Sequence, residues 1–83
     1  MDINELREKY RKLRDKSTGS STEERGKRAA YSDFICMTYD IGIQEIKEAL
    51  QQFIKNEEDK GVFMLSMRNT ANEILTDLRR MKC

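Results

Sequence analysis

The sequence predicts an all-α fold: a three-helix antiparallel bundle or hairpin around a long central helix, completed by a second copy. Three observations carry this. Proline is absent and glycine occurs only four times, at Gly19, Gly26, Gly42 and Gly61, so few residues can interrupt a helix. Apolar residues recur at three- and four-residue spacing along most of the chain. Charged and apolar residues each make up 37% of the 83 residues, and mean hydropathy is −0.83. That balance leaves narrow apolar seams on polar helices. A single domain this short buries a modest share of its surface. Narrow seams are often completed by another copy, so a homo-oligomer is expected.

The first helix is expected over about residues 2–16. Asp2 and Glu5 have the spacing of a capping box, in which each side chain satisfies the other residue's amide. Ile3, Leu6, Tyr10 and Leu13 then form one seam. Residues 17–21, "STGSS", stop the helix: serine and threonine compete for backbone hydrogen bonds, and Gly19 offers a left-handed position cheaply. Ser21 and Glu24 repeat the capping-box pattern and open the long helix, about 22–56.

The long helix carries two apolar rows. One is Ala30, Phe34, Met37 and Ile41; the other is Cys36, Tyr39, Ile43, Ile46, Leu50 and Phe53. A helix with two rows is covered on two sides, hence central. Gly42 marks a kink or a close crossing. The segment "KNEEDKG" then reads as a turn at about 57–61, with Gly61 as its cap. The seam register also runs in step through it, so a single rod is the alternative; two charged seam positions weigh against that. The last helix, about 62–82, has a clean seam of Met64, Met67, Ala71, Ile74, Leu78 and Met81. Of these, Met64, Met67, Ile74, Leu78 and Met81 are the expected seam for a partner or a second copy.

Charge is uneven. Residues 1–28 hold nine Lys/Arg against six Asp/Glu, residues 29–59 two against seven, and residues 60–83 five against two. An acidic centre between basic ends suits contact with an oppositely charged partner. Cys36 lies in the apolar run "FICM" and Cys83 ends the chain. Two distant cysteines do not make a disulfide framework, so a reducing, cytoplasmic location is expected. No apolar run approaches the roughly 18 residues of a membrane span, and "MDINELREKY" has no apolar leader core.

The chain has no histidine. That removes the commonest general base, the commonest metal ligand and every Ser-His or Cys-His nucleophile. The cysteines cannot form a structural zinc site, and "NEEDKG" lacks alternating calcium-ligand spacing. "STGSSTEERGKR" lacks the Gly-Lys-Ser/Thr ending of a phosphate loop and follows no strand. No catalytic residue, metal site or cofactor is therefore assigned, and non-catalytic binding is the expected class.

Three features could carry binding. Arg7, Arg11 and Arg14 share one face of the first helix, and Arg25, Lys27 and Arg28 open the next. A hairpin converging them would favour phosphate-bearing ligands, nucleic acid or a small nucleotide, with Tyr10 and Tyr31 as stacking rings. Neighbouring acids such as Glu8 and Asp15 offer these cations local partners instead. Met37, Met64, Met67 and Met81 place adaptable side chains on the apolar seams. Ser66, Asn69, Thr70 and Asn72 give the last helix an uncharged polar stretch. The reading most consistent with the whole is a small regulator, adaptor or inhibitor that docks to a macromolecular partner, with the phosphate-ligand binder as the alternative.

Overall fold

The computed structural model describes residues 2–56 and 61–81. Among these it has four α-helices and no strand: α1 (Ile3–Lys16), α2 (Thr22–Asp40), α3 (Ile43–Lys55) and α4 (Val62–Arg80). Both expected N-cap residues put a side-chain oxygen to use. Asp2 Oδ1 accepts the Glu5 amide at 2.9 Å and Ser21 Oγ accepts the Glu24 amide at 3.2 Å.

There are four helices, not three, because the expected long central helix breaks at Ile41 and Gly42. Both residues are extended, with φ/ψ of −137°/167° and −80°/167°. The Ile41 amide closes α2 on the Met37 carbonyl, and the Gly42 carbonyl accepts the first amide of α3, that of Ile46. The break lets α3 fold back onto α4, so that Ile46 is fully buried and Leu50 nearly so. A straight continuation would hold that row away from the core, forfeiting roughly 1.5–3 kcal/mol for each large side chain left in water. The expected turn at 57–61 lies, apart from Gly61, outside the described residues; α3 and α4 pack side by side, unlike a single rod.

The central helix is α4. It packs against α2 along one side and α3 along the other, while α1 lies mainly on α2. The core joins Leu6 and Tyr10 of α1, Tyr31, Phe34 and Ile35 of α2, Ile46 and Leu50 of α3, and Ala71, Ile74, Leu75 and Leu78 of α4. Tyr10 is buried within it, edge-on to Phe34 at 5.5 Å between ring centroids and tilted against Tyr31 at 5.6 Å. Its hydroxyl donates to Asp77, which also accepts from Lys9 at 2.7 Å, and this ties α1 to α4.

None of the described glycines has a positive φ, so the left-handed position expected of Gly19 is not used. Arginines from neighbouring helices do the work at the C-termini. Arg28 of α2 donates to the Ser17 and Gly19 carbonyls beyond α1, both at 2.7 Å. Arg7 of α1 reaches the Thr38 carbonyl in the last turn of α2 at 3.3 Å and the Thr38 hydroxyl at 2.6 Å. Arg68 of α4 donates to the Asn56 carbonyl after α3 at 2.6 Å. Each places a cation near the negative end of a helix.

Candidate functional site

The α2 and α3 helices are consecutive, yet they touch only lightly and both lie on α4. The angle between them leaves an open groove of about 500 Å³. Its floor is α4, through Met64, Met67 and Ala71. One wall is α2, contributing Ala30, Asp33, Cys36, Met37 and Asp40; the other is α3, contributing Ala49, Leu50 and Phe53. The local cause lies in the sequence. Alanines at 30, 49 and 71 keep the walls and floor low, and unbranched methionines fill them loosely. Among the described residues the lining includes two carboxylates and no cation. Asp33 and Asp40 are both exposed, and neither forms an ion pair among the described residues.

Sequence reasoning named Met64 and Met67 as partner-facing, and both line this groove. Ile74 and Leu78 of the same seam are fully buried within the single chain, and Met81 packs partly buried against the same core. The seam therefore divides: its first half faces the groove and its second half closes the core. Cys36, which the sequence places in an apolar row of the long helix, is exposed at the groove wall. Asp33, Asp40 and Ala49 were not singled out. Asp33 and Asp40 stand seven residues apart on one helix, two turns on the same face, and that spacing was the available signal.

The six basic residues are not gathered into one face. Arg7 is engaged at the C-terminal end of α2, where its guanidinium also lies 4.2 Å from the Tyr39 ring centroid. Arg28 is engaged at the opposite end of the hairpin, on the loop carbonyls. Arg11 pairs with Glu8, whose carboxyl is lowered chiefly by that hydrogen bond. Arg14 lies 3.6 Å from Asp15 and Lys27 lies 4.0 Å from Glu24. Arg25 alone of the six has no partner among the described residues. Tyr10 and Tyr31 are buried, so neither ring is open to stacking.

Ser66, a buried polar side chain that the sequence reading did not single out as core, holds the α2–α4 crossing together with Gly26. Ser66 is buried and donates to the Glu23 carbonyl at 2.6 Å; Thr70, one turn further along α4, is also buried. A Cβ on Gly26 would stand 2.7 Å from the Phe63 carbonyl oxygen and 2.8 Å from Ser66 Cβ, so α2 approaches the backbone of α4 directly.

Among the described residues, no group of His, Cys, Asp or Glu is arranged to hold a metal ion. No described helix is long and apolar enough to cross a membrane. No family model, no curated protein and no solved structure matches the chain.

Proposed function

We propose that this protein is a non-catalytic docking protein, a regulator, adaptor or inhibitor, which seats an amphipathic helix of a protein partner in the groove between α2 and α3. The observation that carries this is the groove itself: an apolar trough bounded by two helices in a chain whose charged residues equal its apolar ones. Exposed apolar concavities are uncommon on polar surfaces of this kind unless something covers them. The trough lies where a fifth helix would pack on α4, and three methionines give it the adaptability of helix-binding grooves. The engagement of Arg7 and Arg28 at helix ends supports this reading over phosphate capture, because those guanidinium groups already serve carbonyl acceptors.

The proposal needs no second copy, since a single chain buries Ile74 and Leu78 completely. The test is selection of helical peptides from a displayed library, followed by affinity measurement against the protein and its Ala49→Trp variant. Ala49 is exposed on α3 and lines the groove, so tryptophan adds bulk there without adding charge or entering the core. Amphipathic sequences should be enriched, and each should lose at least about tenfold in affinity for the variant, the size of a hot-spot contact. Peptides that bind both proteins equally, or no enrichment, would contradict the proposal.

A further inference from the structure

We infer that the helix seated in the groove carries its positive charge on one flank, as two Lys or Arg residues about two turns apart. The inference rests on the groove being a docking site and adds the chemistry of its occupant. The α2 wall presents Asp33 and Asp40; the α3 wall presents Ala49, Leu50 and Phe53, with no charge. Seven residues of α-helix span about 10 Å along the axis. A partner helix lying alongside α2 meets that pair best with cations at i and i+7 on the flank facing it. Its opposite flank meets an uncharged wall, where a charge would lose hydration without gaining a partner.

Neither aspartate is committed elsewhere among the described residues, so both remain available to an incoming cation. A second copy of this chain is disfavoured as the occupant of an isologous contact here. A two-fold axis lying across the groove would oppose carboxylates to carboxylates, and one lying along it would set each carboxylate pair against uncharged lining. The asymmetry also fixes direction: reversing a one-flanked helix in the groove moves its cations from the α2 wall to the α3 wall. The two aspartates thus act as an orienting pair, while the methionines and Phe53 supply the apolar contact.

The probes are three synthetic 18-residue amphipathic peptides sharing one leucine stripe. They differ at two flank positions seven apart, which are Lys, Gln or Glu. Binding is read by fluorescence anisotropy against the wild type, Asp33→Asn/Asp40→Asn and Ala49→Trp, at low and at 0.5 M salt. Surface charge pairs are individually weak, so at low salt the Lys peptide should bind about tenfold tighter than the Gln peptide, with the Glu peptide weakest. High salt should compress that order, because exposed charges are screened. In Asp33→Asn/Asp40→Asn the three peptides should bind alike. Equal binding of the Lys and Gln peptides to the wild type, or an order that persists in the double variant, overturns the inference and leaves the groove standing. If no peptide binds, or Ala49→Trp binds all three as the wild type does, the docking reading itself falls and the inference with it.

Discussion

Replacing Gly26 by alanine should destabilise the protein although it improves the intrinsic helix propensity of α2. Alanine is favoured over glycine in a helix interior by about 1 kcal/mol. Against this, the new methyl would meet the Phe63 carbonyl oxygen at 2.7 Å. That atom is backbone of α4, so it cannot swing aside as a side-chain tip would. The methyl would also crowd Ser66 Cβ at 2.8 Å and Oγ at 3.0 Å, driving the hydroxyl off the Glu23 carbonyl. Overpacking costs about 1–3 kcal/mol and the lost hydrogen bond about 1 kcal/mol. The net loss is about 2 kcal/mol, equivalent to about 8–16 °C in Tm for a domain of this size. Thermal unfolding followed by circular dichroism measures it. Gly42→Ala is the control: only Glu45 Oε1 comes within reach, at 3.9 Å, so its effect should stay under about 1 kcal/mol. A Gly26→Ala protein as stable as the wild type, or more stable, would refute the close crossing of α2 and α4. That crossing presses α2 against α4 and helps set the shape of the groove.

Two further outcomes are expected. Removing Arg28 by Arg28→Ala strips two carbonyls beyond α1 of their donor and should cost about 1–2 kcal/mol; Arg28→Lys should restore only part of this, lacking the planar fork, and urea titration measures both. The Tyr10–Asp77 contact makes stability depend on pH at both extremes. Burial works to raise the Asp77 carboxyl, but the hydrogen bonds from Lys9 and Tyr10 outweigh it and hold it below its usual value. Its contribution is therefore present above the unfolded value of about 4 and is lost as pH falls through the lower folded value. Burial, followed by the bond to Asp77, raises the Tyr10 phenol far above its usual value. Its contribution is complete below the unfolded value of about 10 and is lost on further alkalinisation. Urea denaturation across this range should show Tyr10→Phe less stable by about 1 kcal/mol at neutral pH, with the difference shrinking above about pH 10; a constant difference would contradict the assignment.

Much of the scaffold was legible in local chemistry. Asp2 with Glu5 and Ser21 with Glu24 marked two helix starts, and Leu6, Tyr10, Phe34, Ile46, Ile74 and Leu78 fell on the seams that form the core. The break at Gly42 was harder to read, because the row from Cys36 and Tyr39 to Ile43 and Ile46 keeps helical spacing across it. In the folded chain Cys36 and Tyr39 are exposed while Ile46 is buried, so that row belongs to two helices. Gly26 carried a usable signal: a glycine inside a helix sacrifices stability unless a neighbour needs the space. The arginine caps were invisible because each depends on which helix end lies beside which side chain. The groove was legible only in its parts. Its concavity comes from the angle between α2 and α3, which no one-dimensional pattern records.

The methionine methyl groups report directly on whether a helix seats in the groove between α2 and α3. Three methionines, Met37, Met64 and Met67, line the groove, whereas Met81 packs against the core at the far end of α4. Proton–carbon spectra of methyl-labelled protein should therefore be recorded through a titration with the Lys-flanked amphipathic peptide. The Met37, Met64 and Met67 resonances should move together to saturation while Met81 stays in place. A saturating titration that moves Met81 alone, or leaves the three groove methyls unmoved, would contradict docking in the groove.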